Sequence, residues 1–298
     1  MNGKSIFEDI KWQYIYGSNL IRLILINVAV FVVLGLINLP FFFSQSDFNV
    51  YSFFYLYSNP SELMRHPWGF ITYMFVHQSF FHLLFNMLGM YWFGMIVEDL
   101  VGKSKIVPLY LYGGLFGGIL FVLSYNFFDA LSVGYYSAIA LGASASVLAF
   151  VVAGAVIAPD YELNLFMLWR VKLKWIALAY VVLDLINIPN GNAGGHIAHI
   201  GGAIMGFVYI RLLQNGRDLA KPYYKLEDFF VHLFRKKSPE MKVNKNTSSN
   251  YDKSSTIKTS HQDKQVRLDA ILDKINKSSY ESLSKEEKDF LFQLSKED

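Results

Sequence analysis

The sequence predicts an all-α membrane protein, a bundle of six transmembrane helices with a charged cytoplasmic tail. Three observations lead there. Of 298 residues, 53% are hydrophobic and only 17% charged, a balance far from that of an ordinary soluble domain. Six apolar windows of near-spanning length fall close to 23–43, 79–97, 106–128, 138–158, 173–189 and 194–213, and each reads as a membrane helix. The charge is concentrated at one end: from Arg217 onward there are 17 Lys and Arg with 14 Asp and Glu, against 10 and 10 before it.

The first twenty residues carry Lys4, Glu8, Asp9 and Lys11 and no apolar core. They read as a cytoplasmic N-terminal segment rather than a secretion signal or an Arg-rich transit peptide. After the first span, the 44–78 loop is too long for a plain connector. Its aromatics (Phe48, Tyr51, Phe53, Phe54, Tyr55, Tyr57, Trp68, Phe70) suit the outer membrane interface. The 98–105 turn holds Lys103 and Lys105, and the 159–174 loop holds Arg170, Lys172 and Lys174, whereas the opposite side has only Arg65. By the positive-inside rule both termini are cytoplasmic, which places a multi-pass protein in the cell membrane. With no cysteine in the chain, disulfides, thiolate metal sites and cysteine nucleophiles are excluded.

On this topology the second, fourth and sixth spans all run from the outer face inward. At about 1.5 Å per residue, His82 and Asn86 lie roughly 5 and 10 Å below the start of their window, Ser144 roughly 9 Å and His199 roughly 8 Å below theirs. Four polar groups from three helices thus share one layer. Any one of them could be a satisfied core residue, Ser144 by bonding back to its own helix. Together they are costly in lipid unless they face one another or a wet cavity.

These residue types fit nucleophilic catalysis. Ser144 needs a neighbouring imidazole to take its proton, and His199 is the candidate base. The negative oxygen formed on attack needs fixed donors. His82 and Asn86, four apart on one helix face, can supply two beside the Ser144 backbone N–H. With no evident acidic partner for His199, the expectation is a dyad.

The set His77, His82-Leu83-Leu84-Phe85-Asn86, Gly142-Ala143-Ser144 and Ala198-His199-Ile200-Gly201-Gly202 with Gly206 resembles the rhomboid family of intramembrane serine proteases. The resemblance covers about residues 20–214. It implies a six-helix rhomboid-like bundle, a Ser144–His199 dyad, an oxyanion site including His82 and Asn86, and cleavage of other proteins' transmembrane segments near the outer face. Three positions depart from the family pattern. Ala145 stands where the motif usually has a second glycine, Leu148 where an aromatic often stacks on the histidine, and Trp68-Gly69 where a Trp-Arg pair is usual.

Other residues invite alternative readings. His77, His82, His196 and His199 make a metal site conceivable, but no carboxylate is expected in their layer, so neither metal nor cofactor is expected. Asp184, the one acid well inside a predicted span, reads as a structural hydrogen-bonding group near the outer end of the fifth helix. Gly113-Gly114, Gly117-Gly118 and Gly202-x-x-x-Gly206 are small-residue faces for close helix packing. Beyond the bundle (21–214), Leu226, Phe229, Phe230, Leu233 and Phe234 recur at helical spacing before Arg235-Lys236-Lys237. That pattern fits a helix on the anionic inner leaflet or the core face of a small domain. Within 215–263, residues 238–263 read as a flexible linker. Residues 264–298 read as a small amphipathic hairpin, with a capping box from Ser284 to Glu287, that docks on a partner the sequence does not name. The expected partners of the whole are transmembrane protein substrates and the lipid bilayer, with no nucleic acid. The alternative function is that of an inactive relative that binds transmembrane helices. A transporter would be expected to show internal repeats and paired broken helices, and neither is evident.

Overall fold

The computed structural model describes residues 6–132, 138–165, 169–234, 268–275 and 283–294. They form two compact units, Met1–Arg235 and Lys236–Asp298. The linker expected over 238–263 and the basic triplet 235–237 lie outside the described residues.

The first unit is an all-α membrane bundle. After α1 (Ile6–Tyr16), the long helices are α2 (Asn19–Phe43), α5 (Phe80–Val101), α6 (Ile106–Phe127), which the short α7 (Asp129–Ser132) follows, α8 (Ser144–Ile157), α9 (Leu173–Asn187) and α10 (Ala193–Gln214). Among the described residues, five segments, Asn19–Phe43, Phe80–Val101, Lys103–Phe127, Leu173–Asn190 and Ala193–Gln214, are long and apolar enough to cross a membrane. All five coincide with predicted windows to within a few residues. The expected fourth span differs: α8 begins at Ser144, not 138, and is only 14 residues long. The reason is that residues 139–140 are drawn into a strand (β2, Ile139–Ala140) against β1 (Leu56–Tyr57), with Leu56 opposite Ala140. Backbone pairing therefore satisfies the apolar residues ahead of Ser144, and they do not coil.

β1 belongs to the long aromatic loop, which folds into short pieces including α3 (Pro60–Arg65) and α4 (Gly69–Thr72). Its own aromatics anchor it. Trp68 Nε1–H donates to the Phe53 carbonyl at 2.7 Å and Thr72 Oγ1–H to that of Phe54 at 3.0 Å. Gly69 is required where it is, because a Cβ there would fall 2.5 Å from the Tyr55 carbonyl oxygen. Arg65 pairs with Glu62, at 2.8 Å on the surface. Deeper in, the buried hydroxyl of Tyr110 on α6 donates to the Met74 carbonyl at 2.7 Å, and Asn27 Nδ2–H on α2 donates to the Tyr110 oxygen at 3.2 Å. The buried polar side chains of Tyr110 and Asn27 are thereby paired.

The core lies where α10 packs against α8 and α6. Lipid supplies no hydrophobic force between helices, so close approach and van der Waals contact must hold them. The small residues provide that approach. A Cβ on Gly202 would fall 1.9 Å from the Ala145 carbonyl oxygen, and one on Gly206 2.3 Å from that of Ala149. The charged 159–174 loop forms a hairpin, β3 (Glu162–Leu165) with β4 (Trp169–Lys172), in which Lys172 and Lys174 both reach Asp160, at 3.1 and 2.8 Å.

After α10, α11 (Ala220–Phe234) carries exposed Leu226, Phe229, Val231 and Leu233. Its start is tied to the turn before α6: Lys105 pairs with Asp218, and the Tyr224 hydroxyl donates to the Ser104 carbonyl. The second unit contains α12 (268–275) and α13 (Lys285–Leu294). The expected capping box is present. Ser284 N–H donates to Glu287 Oε2 at 2.7 Å, and Glu287 N–H to Ser284 Oγ at 3.3 Å. Lys274 on α12 reaches the same carboxylate at 2.9 Å.

Candidate active site

A cavity of about 380 Å³ opens among α5, α8, α9 and α10, lined by His82 and Asn86, Ser144 and Leu148, Asp184, and His199. All four residues singled out by depth in the sequence therefore meet in one space.

The chain reaches Ser144 through a turn that only glycine makes without strain. Gly142 has φ +108°, and a Cβ there would fall 2.6 Å from the His82 ring. The turn is pinned from both sides: Gly142 N–H donates to the Tyr73 carbonyl at 2.9 Å, and Ala143 N–H to Nε2 of buried His77 at 3.3 Å. His77 in turn meets His82 edge to face, ring centroids 5.0 Å apart. Because α8 starts at Ser144, the N–H groups of its first turn have no intrahelical partner, and the positive end of the helix dipole faces the cavity.

Ser144 Oγ lies 2.7 Å from His199 Nε2, although the residues come from different helices. Asn86, on α5, donates one amide hydrogen to the His82 carbonyl at 2.8 Å, which fixes its side chain at the cavity wall. The methyl group of Ala145 does not point into this space. It lies in the α8–α6 contact, where a Cβ on Gly117 would come within 2.7 Å of it. Leu148 contributes its aliphatic side chain to the cavity wall.

Two expectations need correction. His199 does have an acidic partner, since its Nδ1 lies 3.0 Å from Asp184 Oδ1. The same oxygen lies 2.7 Å from His196 Nδ1, so a carboxylate does accompany the histidines. The depth arithmetic that grouped the other four residues contained the signal. Asp184 sits five residues before the outer end of its window, about 8 Å down, in the layer of His199. The four histidines that made a metal site conceivable are divided, His77 and His82 beside the Gly142 turn and His196 and His199 on Asp184. Among the described residues, Asp184, His196 and His199 form the one cluster with ligand atoms close enough for an ion, all within 4.8 Å. Hydrogen bonds of 2.7 and 3.0 Å occupy the space between those atoms.

A model of the rhomboid domain matches residues 64–215, and one described as a family of unknown function, DUF6576, matches residues 257–297. Similar proteins include "RHOMBOID-like protein 12, mitochondrial" of Arabidopsis thaliana, 27% identical over 49% of this chain and 46% of that one. "Presenilin-associated rhomboid-like protein A, mitochondrial" of Danio rerio is 30% identical over 52% and 40%. "Rhomboid protease AarA" of Providencia stuartii is 24% identical over 62% and 69%. The chain spans less than half the length of the first two.

Proposed function

The chain belongs to the rhomboid family, and from that premise we propose that it is an intramembrane serine endopeptidase cutting peptide bonds in or beside the transmembrane segments of other membrane proteins. The observation that carries this reading is the 2.7 Å approach of Ser144 Oγ to His199 Nε2 inside a cavity.

His199 Nε2 takes the Ser144 proton as Oγ forms a bond to the scissile carbonyl carbon, whose π electrons move to oxygen. The oxyanion is held by the Ser144 N–H at the start of α8, with His82 and the remaining Asn86 amide hydrogen as further donors. When the C–N bond breaks, His199 gives its proton to the departing amine. Water then attacks the acyl group, His199 accepts its proton, and the Oγ–C bond breaks with return of that proton to Ser144. Each of these steps uses only the chain's own residues and water.

The Ala145 departure from the family pattern does not favour an inactive helix-binding relative, since its methyl group is turned to Gly117. The distribution of Lys and Arg supports both termini on the cytoplasmic side of a cell membrane; the mitochondrial names of relatives give that placement no support. The exposed apolar face of α11 supports its seating on the inner leaflet. The separate match over 257–297 supports a C-terminal module distinct from the 21–214 bundle, one that docks on a partner.

Co-expression with tagged transmembrane proteins tests the reading. Cleavage by the wild type, lost in Ser144→Ala and His199→Ala while both variants fold and insert, is the expected result, and fluorophosphonate labelling should be lost with it. Proteolysis that survives in purified Ser144→Ala protein would rule the mechanism out.

A further inference from the structure

Asp184 is buried within the bundle, its side chain 10% exposed, and a lone carboxylate there is costly unless a specific set of donors compensates it. The donors are the Nδ1 atoms of His196 and His199, at 2.7 and 3.0 Å from one oxygen. His196 and His199 are three apart on α10 and so share a face, which turns both rings to α9.

The consequence concerns protons. A carboxylate oxygen is an acceptor, so each contact requires an Nδ1–H. In a neutral imidazole that leaves Nε2 with its lone pair, and Nε2 of His199 is the atom facing Ser144 Oγ at 2.7 Å. The carboxylate therefore selects the one tautomer that can accept the serine proton. It also supplies a negative charge beside the ring that becomes positive on attack. The second donor, His196, keeps the shared oxygen from turning away. We propose that Asp184 is a positioning residue for His199, held by His196, so that the Ser144–His199 pair works within a four-residue hydrogen-bonded cluster across α8, α9 and α10. The kinetic consequence rests on the protease reading above; the tautomer assignment does not.

The test uses the full-length protein and two readouts: kcat and KM on a model transmembrane substrate, and the ¹⁵N imidazole spectrum, with His199 assigned from His199→Gln. Asp184→Asn keeps shape but loses charge, and its amide can donate to Nδ1 and select the wrong tautomer. It should lower kcat at least tenfold with KM within about twofold, and move His199 toward Nε2–H. Asp184→Glu should recover part of the lost kcat, and His196→Gln should lower kcat by less than Asp184→Asn.

Should Asp184→Asn keep kcat within twofold and leave the His199 spectrum unchanged, the proposal fails while the protease reading stands. Equal losses in the Asn and Glu variants, with raised KM and lowered Tm, would assign Asp184 to packing and also overturn it. A wild type that cleaves nothing but whose His199 tautomer changes in Asp184→Asn would remove the protease reading and keep the positioning role.

Discussion

The Asn86 side chain donates to the carbonyl oxygen of His82, one turn earlier on α5, at 2.8 Å. That bond uses one of the two amide hydrogens, and the other remains for a ligand in the cavity. Removing one oxyanion donor commonly lowers kcat by about 10²–10³. Asn86→Ala should therefore reduce kcat substantially with KM little changed, and by less than Ser144→Ala, because His82 and the Ser144 N–H partly cover for it. Unchanged kcat and KM would make Asn86 a packing residue.

The core contact between α8 and α10 makes a second prediction. A Cβ on Gly202 meets backbone, the Ala145 carbonyl oxygen at 1.9 Å, so no rotamer change relieves it and the helices must move apart. Overpacking of this kind typically costs about 1–3 kcal/mol. Ser144 and His199 sit on those same two helices. Gly202→Ala should thus lower both Tm in detergent and kcat, whereas Gly216→Ala, with open space around its Cβ but a positive φ, should affect stability only. Wild-type activity in Gly202→Ala would mean that the helix spacing does not set the Ser144–His199 distance.

How much of this could be read from the sequence follows from which forces leave a linear trace. Apolar runs mark the spanning helices because lipid demands them, and the small-residue faces at Gly117 and Gly202 mark where helices touch. The start of α8 left no such trace. Ala138 to Ala143 is as apolar as the helix that follows, yet Ile139 and Ala140 are extended because they pair with Tyr57 and Leu56, some eighty residues away, and Gly142 turns the chain at φ +108° before the helix begins. The Asp184–His199 contact joins two helices whose mutual rotation no periodicity encodes. Depth along each helix was legible; facing was not. The capping box at Ser284 and Glu287 was legible because its partners are three residues apart.

The tail yields a third prediction. The residues that line the cavity belong to the first unit, so a chain ending after Arg235 should cleave a model substrate at the wild-type rate in detergent. A chain ending near Asn215 should still cleave, but it also loses the Lys105–Asp218 and Tyr224–Ser104 ties and should melt earlier. Burial alone would push the Asp218 carboxyl up, but Lys105 and the Ala220 N–H outweigh it and hold the group below the usual carboxylate range. A depressed carboxylate contributes stability above its unfolded pKa and loses it as pH falls through the folded value. The Tm difference between the chain ending after Arg235 and its Asp218→Asn variant should therefore persist at neutral pH and shrink below about pH 4. A difference independent of pH would assign the tie to packing rather than charge.

The last prediction concerns which bonds are cut. A peptide bond within a helix has its carbonyl bonded to the backbone and flanked by side chains, so the Ser144 hydroxyl cannot reach it until the segment unwinds. Unwinding in lipid exposes polar groups at several kcal/mol each. The cavity around Ser144 offers donors and acceptors from Asn86, His82 and the start of α8 in their place. Preferred substrates should accordingly carry Gly, Pro or small polar residues in the part of their helix that meets this cavity, where the helix is already weak. Replacing those residues by Leu should lower kcat more than it raises KM, because the unwinding cost falls between binding and attack. Measuring both constants across a substrate series graded in helix propensity checks this. Rates that do not fall as propensity rises would mean that Ser144 attacks a segment already extended before it enters the cavity.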